Sequence, residues 1–395
     1  MHPGDANQHP APTRTTGGNA WRLVVAGSGF AALTAARHLR RLSPEAEITL
    51  VAPAPEFVYS PSLIWIPTGL RRSEELRVDL TPWLARQRVR FRAGWVTGLA
   101  EGGRRLLTTG GEVANDGLVI ATGARFLRRL SGIEHALTLC TGIGSAEMIR
   151  ARLAAMPGGT LAFGFAANPH EPQAIRGGPM FELLFGIDTL LRRQGRRDRF
   201  KLVFFNASAE PGKRLGERAV KGLLQEMARR GIEARLGHKL LGFDADRVRT
   251  EGGDFPADLI LFMPGLTGPA WAQGSGLPLS PGGFIQADAG CRVRGIERVY
   301  VAGDAGSYPG PDWLPKQAHM ADLQARAAAD NLWSELQGRT PTARFRNELV
   351  CIVDAYDRGS LVYRSARRSL VLPSMRLLHW AKRAFERQYL RGLRA

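Results

Sequence analysis

The chain has 395 residues, of which 44% are hydrophobic and 23% charged, a balance that excludes a disordered polymer and predicts two or three packed modules. Its 54 Lys and Arg against 36 Asp and Glu leave a formal charge of +18, which calls for an anionic partner: nucleic acid, acidic lipid headgroups or a charged substrate. Three cysteines, Cys140, Cys291 and Cys351, exclude a disulfide scaffold, and with no CxxC, HExxH or Cys/His cluster no structural metal is expected.

Residues 1–20 read as a polar leader without the apolar core of a secretory signal. No later stretch is apolar for long enough to span a bilayer. Trp21–Ala26 (WRLVVA) reads as a buried strand and Ala31–Leu42 as a helix stopped by Ser43-Pro44. Glu47–Val51 (EITLV) is the next strand, which completes a βαβ unit of about 30 residues. Strand and helix then alternate: Thr160–Phe165, a helix around Pro179–Arg193, strand Lys201–Phe205, helix Arg218–Arg230, strands Leu259–Met263 and Val299–Ala302. Such alternation predicts an α/β fold with parallel sheets covered by helices.

Between the first strand and helix stands GxGxxA, with Gly27, Gly29 and Ala32 in the key positions. Gly27 permits the turn out of the strand, Gly29 lets the backbone approach a pyrophosphate, and Ala32 lets helix and strand pack closely. Phe30 and Ala31 open the helix, whose free amides and dipole suit phosphate. The acid expected after the second strand, where it would bind a ribose, is replaced by Ala52-Pro53, with Glu56 as a candidate substitute. Two further strands end in cofactor-like turns: Leu118–Ala124 (LVIATGA), with Thr122 and Gly123, and Val299–Asp304 (VYVAGD), with Gly303 and Asp304. Asp304 is placed to accept a hydrogen bond from ribityl hydroxyls, and Gly303 keeps the backbone thin there.

These three motifs, in this order, resemble those of the two-dinucleotide-binding-domain flavoproteins, and so imply FAD as cofactor. Within that superfamily the chain most resembles sulfide:quinone oxidoreductase and the flavoprotein subunit of flavocytochrome c sulfide dehydrogenase. The stretches that carry the similarity are Phe57–Gly69, Cys140–Glu147, Gly178–Glu182 (GPMFE), Leu314–Gln324, Cys351–Gly359 and His379–Leu393. The resemblance implies two Rossmann-like domains: an FAD domain in two parts (21–125 and 285–335) and a second dinucleotide-like domain (126–284). A C-terminal amphipathic, membrane-facing segment (336–395) completes the chain.

In such enzymes sulfide attacks a sulfur centre beside the flavin, and two electrons pass on to quinone. Cys351 and Cys140 match two redox cysteines of the family, whose reactivity requires a pKa lowered by nearby positive charge. The third would stand near Gly177, but Ala174–Gly178 reads AIRGG. Either Cys351 pairs with Cys140, or one cysteine works alone, or the donor is not sulfide. A buried structural thiol is the alternative for both, and Cys291 matches no family site and is expected to be structural. Histidines of the family near Cys140 and near Gly212–Gly216 are also missing, replaced by residues such as Lys213 and Arg214.

The strand Thr160–Phe165 runs into AANPHEP rather than a second GxGxxG, so strong binding of NAD(P)H is not expected. Lys316 and Gln317 open a helix over the flavin's pyrimidine edge, where a cation would stabilise a reduced, anionic ring; an exposed helix-start lysine is the alternative. His319 is more often a packed residue than a proton relay. From Arg364 onward nine Lys and Arg face Glu386 alone, and Leu377, Leu378, Trp380, Ala381, Ala384, Phe385, Tyr389 and Leu393 recur at helical spacing. That pattern suits the interface of an anionic bilayer, with a helix docked on the protein as the alternative. No nucleic-acid-binding motif accompanies the positive charge.

The expectation is therefore a peripheral membrane FAD oxidoreductase at the cytoplasmic face of the inner membrane. It would take electrons from a sulfur-containing donor, give them to quinone, and potentially self-associate. The alternatives are another donor such as NADH, or a flavoprotein subunit that hands electrons to a cytochrome.

Overall fold

The computed structural model describes residues 20–394; the leader expected over 1–20 lies outside it up to residue 19, as does the side chain of Cys140. Strand β1 (Arg22–Ala26) leads through Gly27–Gly29 into helix α1 (Phe30–Leu42) and strand β2 (Glu47–Ala52). Strands β3 (Val89–Ala93) and β4 (Gly117–Ile120) follow. Next come β5 (Ala136–Leu137), α2 (Ile143–Ala155), β6 (Gly159–Phe165), α3 (Gly178–Arg193) and β7 (Phe200–Asn206). Helix α4 (Glu217–Arg229), β8 (Glu233–Leu236) and β9 (Leu259–Met263) complete that stretch. Strand β10 (Val299–Val301) and α5 (Ala318–Leu336) precede a meander, β11 (Glu348–Asp354), β12 (Gly359–Ser365) and β13 (Ser369–Met375), closed by α6 (Arg376–Arg394).

Two parallel five-stranded sheets organise the fold, in the orders β10–β4–β1–β2–β3 and β5–β9–β6–β7–β8. The first strand pair is in register from Arg22 opposite Glu47 to Ala26 opposite Val51, so the loop carrying Gly27 and Gly29 leaves from the carboxyl end of the central strand. That is where doubly wound sheets bind their ligands. The strands are apolar on both faces because helices cover both: Leu23, Val25, Leu118, Val119, Val299 and Val301 are wholly or almost wholly buried. Helix α1 packs on α5, and small residues on both (Ala31, Ala35, Ala321, Ala325, Ala328) let the two approach closely. The second sheet has its own core, built around Phe163, Phe181 and Phe204.

The C-terminal helix differs from the single apolar stripe expected. Leu378, Leu390 and Leu393 turn inward and are buried, while Leu377, Trp380 and Phe385 turn outward with 71%, 55% and 61% of their surface exposed. The helix thus has two apolar faces, one spent on the protein. Burial of each inward leucine is worth roughly 1.5–3 kcal/mol. Polar pairs hold the same face: Arg71 forms an ion pair with Glu386 at 2.7 Å and His379 Nδ1 hydrogen-bonds with Asp354 at 2.6 Å, all four side chains buried. Lys382, expected on the cationic outer face, is instead drawn inward to Glu182. Among the described residues, no helix is long and apolar enough to cross a membrane.

Candidate cofactor and redox site

The turn after β1 has the geometry its sequence suggests. Gly27 sits at φ +122°, and a Cβ there would stand 2.2 Å from the carbonyl oxygen of Ala121, so only glycine fits. Gly29 differs: a Cβ there would meet no atom within 4 Å. The first-turn amides of α1, free of intrahelical partners, open onto that space, and no acidic side chain occupies the turn. Ala32 is fully buried against the strand. Gly303, at φ +75°, is confined by Ala31 and Ala321, whose Cβ atoms would lie 3.2 and 3.4 Å from an added Cβ. Its thinness therefore serves the packing of α1 on α5 as well as any ligand. Gly123, at φ +73°, again faces open space, and Thr122 accepts a hydrogen bond from Trp271 Nε1 at 3.2 Å.

Gly303, Asp304, Gly306, Lys316, Gln317 and Gln324 line one narrow cleft together with Gln173, Tyr308, Leu314, Pro315 and Met320. Gln324 accepts from the Gly303 amide at 3.0 Å, which fixes the turn. Lys316 donates to the carbonyls of Asp304 (3.2 Å) and Gly306 (2.6 Å) and lies over the Phe284 ring. Burial pushes its pKa down to about 8, against the pull of Asp304 and Glu171. Asp304 itself forms an ion pair with Arg176, a partner the sequence did not suggest. The open side of Gly29, the free helix terminus and the polar cleft beyond Asp304 fit an extended dinucleotide.

Phe30 points elsewhere than a phosphate. Its ring lies 5.0 Å from Phe57, 5.6 Å from Tyr59 and 5.0 Å from Tyr389, an aromatic cluster that joins α1 to α6. Glu56, the candidate ribose ligand, is on a short strand and paired with Arg77 at 3.3 Å. His319 pairs with Glu348 at 3.0 Å.

The redox candidates separate. Residue 140 lies in a short 3-10 turn, Leu139–Thr141, before α2. Cys291 is fully buried, with its thiol pKa pushed well up by burial, as suits a structural thiol. Cys351 lies on β11 with its Sγ facing the start of α3, 3.6 Å from where a Cβ on Gly178 would be. A Cβ on Gly177 would instead collide with the Phe165 ring at 2.7 Å. Gln317 Nε2 donates to the Val350 carbonyl at 3.3 Å and so ties the cofactor cleft to the strand that carries Cys351.

Positive charge does not activate this thiol, contrary to expectation. Burial and the nearby Glu182 carboxylate push its pKa up to about 12, and Lys382 opposes them only weakly. Lys382 is itself engaged by Glu182, and donates also to the Ile352 carbonyl at 3.4 Å. Burial in turn lifts the Glu182 carboxyl toward neutrality, to about 7. Glu182 and Lys382 are residues of this centre that sequence reasoning missed. The signal was a lone carboxylate in the otherwise apolar run MFELLFGI, and Lys382 was masked by the cations around it.

The second sheet's crossover differs from the short turn after β1. After β6 the chain takes a long loop before α3 starts at Gly178. Asn168 Nδ2 in that loop donates to the carbonyls of Leu266 (2.9 Å) and Gly282 (3.2 Å), and Glu171 accepts from the hydroxyls of Ser280 and Ser307, both at 2.6 Å. The loop folds back on its own protein, with a carboxylate at its centre.

Two parallel sheets of this design, one of them with a glycine-lined cleft for a dinucleotide, define a flavoprotein oxidoreductase. The chain belongs to the pyridine nucleotide-disulphide oxidoreductase family, whose profile matches residues 21–325. It is an FAD-dependent enzyme. It is similar to the sulfide-quinone reductase of Aquifex aeolicus, with 24% identity over 93% of this chain and 90% of that one. The solved structure of the Aquifex sulfide:quinone oxidoreductase superposes with a TM-score of 0.87 at 22% identity, over 95% of this chain and 92% of the other. A type II NADH:quinone oxidoreductase of Mycobacterium tuberculosis is 24% identical over 82% of this chain and 74% of its own.

Proposed function

We propose that this enzyme oxidises sulfide or a related sulfur species and passes the electrons to a membrane quinone. The observation that carries the reading is the position of Cys351, whose thiol faces the start of α3 and whose strand is tied by Gln317 to the cofactor cleft. FAD, when bound, supplies a centre that accepts two electrons from the donor side and gives them to the acceptor side. Hydrosulfide oxidised to sulfane sulfur releases two electrons and one proton; a quinone reduced to quinol takes up two of each.

The chain's own residues divide the work. Cys351, a half-buried thiol whose pKa is raised by burial and by Glu182, presents a polarisable sulfur that positions the donor, and the two electrons given up come from the donor's own sulfur anion rather than from a cysteine thiolate. Glu182, titrating near neutrality, is suited to hold the proton released beside it. The folded-back loop at Asn168–Glu171 favours a sulfur donor over NADH. With no partner thiol in the 174–178 segment, Cys351 is read as working without the family's usual disulfide.

On the acceptor side, Leu377, Trp380 and Phe385 with Arg376 and Arg387 form an outward face that suits an anionic bilayer. Phe385 contacts Tyr389, and Tyr389 contacts Phe30 at the first turn of α1. That aromatic path runs from the proposed lipid face toward the cofactor and is the route we assign to quinone. The test is sulfide-dependent reduction of a short-chain ubiquinone analogue by the FAD-loaded protein. Turnover with sulfide and none with NADH supports the reading, and turnover with NADH alone overturns it.

A further inference from the structure

Four ionisable side chains meet beside Cys351 in a space almost closed to water. Glu182 of α3 and Asp354 of β11 supply two carboxylates, 6% and 1% exposed. Lys382 and His379 of α6 oppose them, 16% and 5% exposed. Trp65 joins the two pairs: its Nε1 donates to Asp354 at 3.0 Å, its ring lies 5.9 Å from that of His379, and Lys382 Nζ stands 5.5 Å from its centre. The thiol of Cys351 faces Gly178, one helical turn before Glu182, and Lys382 reaches the carbonyl of the next residue, Ile352. The charged groups around this cluster are paired among themselves: Arg71, 5.1 Å from Trp65, with Glu386, and Arg193 with Asp357 of the β11–β12 turn.

Asp354 is the fixed negative charge. It accepts from Trp65, from the Tyr356 amide at 3.0 Å and from His379 Nδ1 at 2.6 Å, bonds that suit the ionised form. Burial opposes that ionisation, but His379, Lys382 and Trp65 together hold its pKa below the ordinary carboxylate range. An ionised carboxylate only accepts, so His379 Nδ1 keeps its hydrogen in both charge states of the ring, and Nε2 is where a proton comes and goes. Two carboxylates against one ammonium leave a negative charge uncompensated in a dry site, which is costly. One bound proton removes it, and two places can take it: Glu182, or His379 Nε2.

We propose that Glu182 and His379 share one proton and work as a relay for the proton released when the donor sulfur is oxidised beside Cys351. The S–H bond of hydrosulfide breaks as two electrons of its sulfur pass to FAD, and its proton goes to Glu182. That gain drives the Nε2 proton of His379 to water, so the buried cluster stays neutral throughout. His379 and Asp354 touch no reacting atom and are positioning residues. The His379 ring lies 5.9 Å from that of exposed Trp380, at the outer edge of the cluster. The relay rests on the reading of a sulfur donor given above.

Two measurements on the FAD-loaded protein test it. The first needs no donor: nitrogen NMR of labelled histidine follows His379 Nε2 against pH in the oxidised protein, with the signal assigned by its loss in His379→Gln. Glu182→Gln removes the excess negative charge, and the His379 midpoint should fall by about one pH unit or more. An unmoved midpoint, or no titration of His379 in the parent, overturns the shared proton. The second is stopped-flow reduction by sulfide across pH. His379→Gln leaves an ionised Glu182 uncompensated and should move the rise in rate to higher pH, whereas Asp354→Asn should move it to lower pH, each by about one pH unit or more. Loss of structure alone would not displace the two profiles in opposite directions, and displacement in the same direction, or none, overturns the relay. Should either variant lose FAD, the NMR comparison of Glu182→Gln with the parent decides. Coupling of His379 to Glu182 in a protein that sulfide does not reduce would sink the sulfide reading and leave the shared proton standing.

Discussion

Lys382 of the C-terminal helix and Glu182 of α3 form a buried ion pair beside Cys351, joining two segments 200 residues apart. The pair anchors α6, and it also decides the charge that the thiol feels. Breaking it from one side should be expensive. Lys382→Met leaves a buried carboxylate without its cation and is expected to cost about 3–5 kcal/mol, whereas the double variant Lys382→Met/Glu182→Met should recover most of that loss. Guanidinium-induced unfolding of the FAD-loaded proteins measures both. A double variant as unstable as the single one would contradict the pairing.

Burial, and after it the Glu182 carboxylate, gives Cys351 a pH dependence. The Cys351 pKa is raised to about 12 from an ordinary value near 9, so the folded chain keeps the proton where the unfolded chain loses it. The contribution to stability is complete below about pH 9 and is lost as pH rises toward 12. Alkylation of Cys351 by iodoacetamide should therefore be slow at pH 8 and still rising at pH 10. Glu182→Gln removes the negative neighbour and frees Lys382, and should speed alkylation at pH 8 by about 10-fold or more. Mass spectrometry of the Cys351 peptide gives the rates.

The two glycines after β1 should fail in different ways. Gly27→Ala places a Cβ against the Ala121 carbonyl, and should destabilise the junction and yield protein without flavin. Gly29→Ala meets no protein atom, and should leave the apoprotein as stable as the parent while weakening FAD binding by about 10-fold or more. Thermal unfolding of the apoproteins together with flavin titration separates the two effects.

Deleting the C-terminal helix is the wrong test of lipid binding, because its inner face carries Leu378, Leu390, Leu393, the Arg71–Glu386 and Lys382–Glu182 ion pairs and the His379–Asp354 hydrogen bond. The outer face can be changed alone. Leu377→Ser/Trp380→Ser/Phe385→Ser should keep FAD and the fold, and lose cosedimentation with vesicles containing anionic lipid. Undiminished binding would place the membrane surface elsewhere.

Local pattern made the first half of the site legible. Gly27, Gly29 and Ala32 follow an apolar strand and open a helix within a few residues of one another, so spacing alone locates the cofactor turn. The redox centre was not legible in the same way. His379 finds Asp354 over 25 residues, Asp304 finds Arg176 over 128, and Glu386 finds Arg71 over 315. Nothing in the periodicity of α6 distinguishes Lys382, which turns inward, from Arg387, which does not. The expected activation of Cys351 failed for the same reason: nearby positive charge was foreseeable, but its neutralisation by Glu182 required the tertiary fold.

The central claim is that electrons enter at a sulfur donor beside Cys351. Anaerobic stopped-flow mixing of the oxidised holoenzyme with sulfide, and separately with NADH, tests it through the flavin absorbance. The expected result is rapid bleaching by sulfide, loss of that rapid phase in Cys351→Ser, and no bleaching by NADH within the same time. Rapid bleaching by NADH, or an unchanged sulfide phase in Cys351→Ser, would contradict it.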